Sequence, residues 1–153
     1  MTATILKNIH FIDDSIDEFL ITRLLFRKEK IDINLKTYTG LAEFMEAASA
    51  MVPFDDPAAE LIVTDMNLTI QSGVDVIKAI RSDPQLQGVV AGICSGSDDP
   101  ADVRYAMEAG ADFFVIKSLD KQALTSICDT VHHLALVQGE DGRHRLSASQ
   151  RMN

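Results

Sequence analysis

The amino-acid sequence predicts an α/β fold in which helices cover a single parallel β-sheet. Two observations support this prediction: short apolar runs alternate with stretches of helical periodicity, and five such strand–helix repeats follow one another. Strands that are separated by a helix are joined by crossover connections, which makes the sheet parallel. The length of 153 residues suits one domain with one hydrophobic core.

The first half of the chain contains three of the predicted strands. Residues 9–12 and 61–64 are apolar runs, as expected of buried strands, whereas residues 33–37 alternate between apolar and polar, as in an edge strand. Ser15 and Glu18 have the spacing of a capping box at the start of the first helix. Apolar residues at helical spacing mark the first two helices: Ile16, Phe19, Leu20 and Leu24, then Leu41, Phe44, Met45 and Ala48.

The second half contains two further strands, at 89–94 and 113–116, and three helices. Asp99 and Pro100 predict the start of the fourth helix, and Gly110 predicts its end, because glycine readily adopts the left-handed conformation there. The third and fifth helices are marked by apolar stripes: Val74, Ile77 and Ile80, then Leu124, Ile127, Cys128, Val131 and Leu134.

Composition and charge limit the domain organisation and the partners. The residues beyond the last stripe are polar, which predicts a domain over 7–137 and a polar C-terminal tail over 138–153. Lys and Arg number 14 against 23 Asp and Glu, and a net charge of −9 disfavours a nucleic-acid partner. The sequence has no signal or membrane-spanning pattern, and Cys94 and Cys128 lie in apolar patterns typical of buried reduced thiols. We therefore expect a cytoplasmic protein that binds neither nucleic acid nor membrane.

Polar side chains follow four of the predicted strands. Asp13 and Asp14 follow the first strand, and Asp65, Ser95 and Lys117 follow the third, fourth and fifth. Parallel strands end at one edge of the sheet, where ligands bind, so these side chains are expected in one crevice. Three carboxylates held close together repel one another and need a countercharge. Mg²⁺ suits this set because it prefers carboxylate oxygen.

The same groups suit the transfer of a phosphoryl group to an aspartate. Asp65 would be the nucleophile, while Mg²⁺ and Lys117 would neutralise charge on the transferring oxygens. Lys117 is a compact cation that can pair with Asp65 or with a phosphoryl oxygen, and Ser95 offers a rotatable hydroxyl donor.

These motifs resemble those of response-regulator receiver domains (CheY-like). The matching positions are Asp13-Asp14, Asp65-Met66-Asn67-Leu68 with Gly73 eight residues past the acid, Ser95-Gly96, and Phe114 followed by Lys117. The resemblance covers about residues 7–137. It implies a flavodoxin-like (βα)5 doubly wound parallel sheet with strand order 2-1-3-4-5.

The resemblance also implies a function. The protein would be a stand-alone response regulator of a two-component phosphorelay, in which Asp65 accepts a phosphoryl group from a sensor histidine kinase or a histidine phosphotransfer protein. Asp14 matches the acid that binds Mg²⁺ directly, Asp13 the acid that acts through water, and Asn67 the residue that lends its backbone carbonyl. Lys117 matches the lysine that contacts the phosphoryl group.

Two further positions match the switch residues of the family. Ser95 matches the switch hydroxyl, and Phe114 matches the aromatic residue that changes rotamer. The resemblance implies that phosphorylation shifts the surface formed by the fourth helix, the fifth strand and the fifth helix. That surface would signal to a downstream protein or to a second copy in a homodimer, so the protein would be a switch rather than an enzyme.

The sequence departs from the family pattern at two positions. Thr69 and Ser118 stand where the family commonly has proline, so the isomer of the Lys117–Ser118 bond is open. Ser118 is predicted to cap the last helix. The acceptor run, the Ser82-Asp83-Pro84 segment and Lys117-Ser118 also resemble the small regulators that partner phytochrome-type kinases.

Two other functions are compatible with the same residues. The departures at Thr69 and Ser118 leave open a receiver-like module that binds proteins without being phosphorylated. A phosphohydrolase with an aspartate nucleophile would share Asp65 and Mg²⁺, but such enzymes place a second acid two residues further on. Asn67 occupies that position and cannot act as a general acid.

Overall fold

A computed structural model of the protein describes residues 3–50 and 56–149. Within these ranges the chain forms five helices, α1 (Ile16–Lys28), α2 (Leu41–Ala50), α3 (Gly73–Ser82), α4 (Pro100–Ala109) and α5 (Lys121–Thr130). It also forms eight strands: β1 (Thr4–Ile5), β2 (Asn8–Ile12), β3 (Asn34–Tyr38), β4 (Glu60–Thr64), β5 (Val90–Ser95), β6 (Phe114–Ile116), β7 (Leu134–Gln138) and β8 (His144–Ala148). A single 3-10 turn, Pro57–Ala59, precedes β4.

Five of the strands form a parallel sheet in the order β3-β2-β4-β5-β6. Counted without β1, this is the order 2-1-3-4-5, so the predicted flavodoxin-like fold is confirmed. Ile12 at the end of β2 lies opposite both Tyr38 and Thr64, and Ser95 lies opposite Ile116. The carboxyl ends of the strands are therefore aligned at one edge of the sheet.

Helices cover both faces of this sheet. α1 and α5 bury their apolar side chains in one core, and α2, α3 and α4 bury theirs in a second core on the opposite face. Every residue of β2 is buried, whereas Asn34 and Lys36 of the edge strand β3 are exposed. The apolar run of β2 and the alternation of β3 in the sequence reflect these two positions in the sheet.

The helix ends agree with the sequence at α4 and differ at α1 and α5. The Asp99 side chain accepts a hydrogen bond from the Ala101 N–H, and Gly110 adopts φ 107°, as predicted. The predicted capping box of α1 is wrong, because the Ser15 side chain makes no capping bond. The last helix is capped by Asp120, which accepts from the Ala123 N–H, and not by Ser118.

The C-terminal segment differs from the predicted polar tail. The helical stripe predicted to reach Leu134 ends at Thr130, and Leu134 instead begins β7. β7 and β8 form an antiparallel hairpin, which pairs with β1 in a second sheet of order β1-β8-β7. The predicted boundary between 137 and 138 therefore falls within the hairpin. Residues 150–153 of that predicted tail lie outside the described residues.

The hairpin packs onto the main domain because its inward side chains are apolar. Leu134, Leu146 and Ala148 are buried in the same core as α1 and α5. Backbone bonds add to this packing: the Asp32 N–H donates to the His144 carbonyl, and the His144 N–H donates to the Lys30 carbonyl.

Two smaller expectations concern the thiols and the membrane. Cys94 is buried as predicted, while Cys128 is half-buried, and both are free thiols. Within residues 3–50 and 56–149, no helix combines the length and the apolar character that a membrane crossing requires.

Candidate functional site

Three acidic residues meet at the carboxyl edge of the main sheet. Asp13 and Asp65 directly follow β2 and β4, and backbone bonds hold them side by side. The Asp13 N–H donates to the Tyr38 carbonyl (3.0 Å), and the Asp65 N–H donates to the Ile12 carbonyl (2.8 Å). One carboxylate oxygen from each of Asp13, Asp14 and Asp65 lies within 4.8 Å of the other two. The sequence prediction that these acids share one crevice agrees with this geometry.

Lys117 reaches into this acidic cluster from the end of β6. Its backbone N–H donates to the Ser95 carbonyl (2.8 Å), which fixes the start of the loop, and the Lys117–Ser118 peptide is cis. The ammonium Nζ lies 2.8 Å from Asp13 Oδ2 and 3.4 Å from Asp65 Oδ2. The Asp13 side chain is fully buried, and the Lys117 side chain is 18% exposed. The one ammonium group therefore partly neutralises the charges of two carboxylates.

The positive charge near Asp65 does not offset the effects that disfavour its charged form. Burial raises the pKa of Asp65 above its usual value, and repulsion from Asp13 raises it further. Lys117 and the Asn67 N–H act in the opposite direction without cancelling these effects. Burial acts to lower the pKa of Lys117, but its hydrogen bond with Asp13 and the nearby carboxylates bring that pKa above its usual value.

The donor set fits a divalent cation. All three side-chain donors are carboxylate oxygens, which are hard ligands of the kind that Mg²⁺ and Mn²⁺ prefer. The raised pKa of Asp65 shows that its charged form lacks compensation, and a bound cation would supply it. Asp13, Asp14 and Asp65 would hold such an ion.

Asp14 has a contact that the sequence analysis missed. Its Oδ2 accepts a hydrogen bond from the Thr69 hydroxyl, across 55 positions of sequence. Thr69 belongs to the turn between β4 and α3, and its departure from the family proline was the only signal in the sequence that pointed to this position.

The turn after Asp65 is held by its own backbone bonds and by a glycine. The Leu68 N–H donates to the Gln71 carbonyl (3.1 Å), and the Gly73 N–H donates to the Met66 carbonyl (2.7 Å). A Cβ atom at Gly73 would lie 2.5 Å from the Asp65 carbonyl oxygen. Only glycine allows α3 to begin this close to the acid, which explains why a glycine stands eight residues after it.

A capping box fixes the same turn at its far end. The Ser72 hydroxyl accepts from the Asp75 N–H, and the Asp75 carboxylate accepts from the Ser72 N–H. This box was not predicted, although Ser72 and Asp75 have the spacing of a cap followed by an acid at the third helical position. The turn is thus bonded from Met66 to Asp75.

The predicted switch residues lie on β5 and β6, the two strands that lead to Ser95 and Lys117 at this edge of the sheet. Ser95 ends β5 with 2% of its surface exposed, and its hydroxyl lies 3.5 Å from the Ser97 N–H. Phe114 is half-buried against the core on the α2–α4 side. Asn67 is exposed, and its N–H bonds to the Asp65 carboxylate. The roles of Ser95, Phe114 and the Asn67 carbonyl stay predictions.

The fold and this acidic edge together define a receiver domain. Residues 9–129 match the sequence model of the response regulator receiver domain, and the chain belongs to this family. It is therefore a response regulator of the two-component type, and the receiver-domain family consists of signalling switches.

The chain is similar to named response regulators in sequence and to others in fold. The two-component response regulator ORR3 of Oryza sativa subsp. indica is 27% identical over 121 residues, which cover 78% of this chain and 86% of ORR3. The bacteriophytochrome response regulator AtBRR superposes with a TM-score of 0.69 at 17% identity, covering 88% of this chain and 99% of AtBRR. The Mn²⁺-bound response regulator Rcp1 superposes with a TM-score of 0.58 at 21% identity, covering 76% of this chain and 84% of Rcp1.

Proposed function

We propose that Asp65 accepts a phosphoryl group from a phosphohistidine, with Mg²⁺ held by Asp13, Asp14, Asp65 and the backbone carbonyl of Asn67. The observation that carries this proposal is the position of Lys117, whose ammonium lies within 3.4 Å of both Asp13 and Asp65. Lys117 is one cation for two acids, of which Asp13 is fully buried, and a third acid, Asp14, is adjacent. This surplus of buried negative charge favours a bound metal ion, and the flexible lysine stem allows the ammonium to turn to a transferred group.

The transfer exchanges one bond for another. A carboxylate oxygen of Asp65 forms a bond to phosphorus while the phosphorus–nitrogen bond of the donor breaks, and the electron pair returns to the donor imidazole. Mg²⁺, when bound, neutralises charge on the phosphoryl oxygens. Lys117 reorients from the Asp65 carboxylate to a phosphoryl oxygen, which its flexible stem and single point charge allow. Asp13, which is fully buried, keeps this ammonium near the site.

The acyl phosphate then acts as a switch. It adds nearly two negative charges and new acceptor oxygens at the edge of the sheet. The Ser95 hydroxyl and Lys117 move toward these oxygens, and Phe114 turns into the space that Ser95 leaves. The exposed surface of α4, β6 and α5 consequently shifts between two populations. A cleft of about 550 Å³ on this surface, lined by Val103, Phe114 and Ser126 among others, offers a docking place for a downstream protein.

The donor is proposed to be a histidine kinase or a histidine phosphotransfer protein, of the phytochrome-associated type. An apolar stripe on α1 beside the acidic cluster supports docking of such a protein. Ile16, Leu20 and Leu24 lie one turn apart and are 65%, 56% and 62% exposed. We expect Leu20→Glu to slow transfer from a protein donor while leaving transfer from a small phosphodonor unchanged. The free thiols of the described residues suit the cytoplasm, where both proteins would meet.

The proposal is tested by phosphorylation with a small donor. Phosphoramidate, which carries a phosphorus–nitrogen bond, is incubated with the protein and MgCl₂, and intact mass reports the addition of one phosphoryl group. We expect labelling of the wild type, complete loss in Asp65→Asn, and no change in Asp129→Asn, an exposed acid at the end of α5. Labelling that persists in Asp65→Asn would show that another residue is the acceptor.

The same assay separates the rival functions. A wild type that takes up no phosphoryl group in the presence of MgCl₂ would support a protein-binding module. Sustained release of inorganic phosphate, far beyond one equivalent per chain, would support a phosphohydrolase. The side chain at position 67 is an exposed amide, which cannot serve as the general acid of such an enzyme.

A further inference from the structure

The bond between Thr69 and Asp14 distinguishes this site from one with proline at position 69. Proline has no side-chain donor, whereas the Thr69 hydroxyl donates to Asp14 Oδ2. Both residues are exposed at the mouth of the crevice, so their contact is not a by-product of core packing.

The Asp14 carboxylate has fewer contacts than those of Asp13 and Asp65, so its orientation depends more on a single hydrogen bond. Asp13 bonds the Ser15 N–H and Lys117, and Asp65 bonds the Asn67 N–H and lies near Lys117. For the Asp14 carboxylate, the Thr69 hydroxyl is the hydrogen-bond partner that the described residues provide. An exposed aspartate without such a partner rotates freely and loses that freedom when it binds a ligand.

The Thr69 side chain belongs to a turn that is held by hydrogen bonds. Backbone bonds close the turn from Met66 to Gly73, and the Ser72 capping box continues into α3. The Thr69 hydroxyl is therefore presented from a rigid support. A hydrogen bond from such a support orients the carboxylate and leaves its second oxygen, Oδ1, free to bind an ion.

We propose that Thr69 is a positioning residue of the metal site, whose hydroxyl holds Asp14 Oδ2 so that Asp14 Oδ1 meets the cation already oriented. The inference rests on the proposed function, in which Asp14 is a ligand of Mg²⁺. Partners that orient a metal ligand in this way typically contribute about 10-fold to 100-fold in metal affinity. Because Asp14 is exposed, we expect the lower end of that range.

An arrangement in which the cation binds Asp14 Oδ2 predicts the opposite change in metal affinity. If the cation needed Asp14 Oδ2, the Thr69 bond would have to break before the metal could bind. Removal of the hydroxyl would then strengthen metal binding instead of weakening it. The sign of the change in affinity therefore separates positioning from competition.

The experiment is a titration of the full chain with MgCl₂, without any phosphodonor, followed by calorimetry and by backbone amide shifts in NMR. Thr69→Val keeps the shape of the side chain and removes the donor, while Thr69→Ser keeps the donor. Thr125→Val, on the exposed face of α5, is the control for loss of an exposed threonine hydroxyl. We expect the dissociation constant of Thr69→Val to rise about tenfold, and those of Thr69→Ser and Thr125→Val to match the wild type.

A second measurement reports orientation directly. Three-bond couplings between the Asp14 backbone and its carboxyl carbon should show one rotamer in the metal-free wild type and averaging in Thr69→Val. Equal or tighter Mg²⁺ binding by Thr69→Val would overturn the inference while leaving the metal site intact. A wild type that binds no Mg²⁺ would overturn the inference together with the metal site of the proposed function.

Discussion

Two clusters in the molecule each pair one basic side chain with two aspartates, and they differ in burial. They are the site cluster, Asp13–Lys117–Asp65, and the hairpin cluster, Asp32–Arg145–Asp141. In the hairpin cluster the guanidinium Nη2 lies 2.7 Å from Asp32 and 2.8 Å from Asp141. Lys117 makes one contact of this length, to Asp13 (2.8 Å), and a longer one to Asp65 (3.4 Å). Asp32 and Asp141 are open to solvent, whereas Asp13 is fully buried.

The net pKa shifts of Asp141 and Asp65 have opposite directions, although each acid lies beside a cation that lowers its pKa. Hydrogen bonds from Arg145 and from the Arg143 N–H lower the pKa of Asp141 to about 2. Burial and repulsion from Asp13 raise the pKa of Asp65 in spite of Lys117. For a buried carboxylate, desolvation can outweigh the effect of a neighbouring cation, and this favours a further cation at the site cluster.

The choice of cation follows the same difference. The planar fork of Arg145 bonds two acids in a fixed geometry, which suits a link between β8 and the loop before β3. Lys117 presents a point charge on a flexible stem and can change partners. The hairpin cluster is a structural link, whereas the proposed function requires the site cluster to exchange ligands.

The largest effect is expected from removal of the buried cation. Lys117→Met leaves the carboxylate of Asp13 buried without its ion-pair partner, and breaking a buried pair in this way costs about 3–5 kcal/mol. Urea unfolding followed by far-UV circular dichroism, at pH 7 without divalent ions, measures the loss. Lys78→Met, at an exposed position of α3, is the control. A loss no larger than that of the control would mean that water reaches Asp13.

A smaller effect, of opposite sign, is expected from neutralising Asp65. Because the folded pKa of Asp65 lies above the unfolded value, the folded state binds the extra proton and wild-type stability falls as pH rises from about 4 through the folded pKa. Asp65→Asn should therefore be more stable than the wild type at pH 7 without metal. The advantage should disappear below about pH 4, where the carboxyl is protonated in both states.

Asp141→Asn serves as the mirror-image control for that measurement. Its folded pKa is lowered, so Asp141 stabilises the fold above the unfolded pKa and loses this contribution as pH falls toward 2. Denaturant melts of both variants between pH 2 and pH 8 should give difference curves of opposite sign. Curves of the same sign would contradict the assignment of burial as the deciding factor.

The smallest effect is expected in the hairpin cluster. Arg145→Gln should lower the melting temperature by about 2 °C or less, because exposed ion pairs contribute little and salt screens them. Thermal melts at low salt and in 0.5 M NaCl check this, and the difference from wild type should vanish at high salt. A loss that persists in salt would indicate that the Arg145 stem contributes by packing.

Most of the main fold could be predicted because the signals are local. Strands are marked by apolar runs and helices by apolar stripes, and Asp99, Pro100 and Gly110 mark the ends of one helix. Each signal acts over a few residues, and the crossover connections then make the sheet parallel. The site followed from the same logic, since parallel strands bring their last residues to one edge. No side-chain contact had to be known to gather Asp13, Asp65 and Lys117.

The hairpin could not be predicted because its first residue fits another pattern. Leu134 continues the helical stripe of α5, and no glycine or proline lies between residues 118 and 138 to mark an end. Packing decides the outcome: Leu134 and Leu146 bury their side chains in the α1–α5 core as parts of strands. Local periodicity cannot report such a long-range preference.

Two side-chain contacts near the crevice were not predicted from the sequence either. Ser15 and Glu18 had the spacing of a capping box, but the Asp13 carboxylate accepts the Ser15 N–H instead. The bond between Thr69 and Asp14 joins two loops whose relative position depends on the whole sheet. Spacing along the chain contains no information about this second contact, whereas the bond from the Ser15 N–H to Asp13 joins residues only two positions apart.

The pairing of β1 with β8 has a consequence for biosynthesis. Thr4 lies opposite Ala148, so the first strand has as its partner the last strand of the described chain. During translation the parallel sheet can assemble while β1 still waits for residues more than a hundred positions away to leave the ribosome. The second sheet therefore cannot close before β8 has left the ribosome, after all the strands of the parallel sheet.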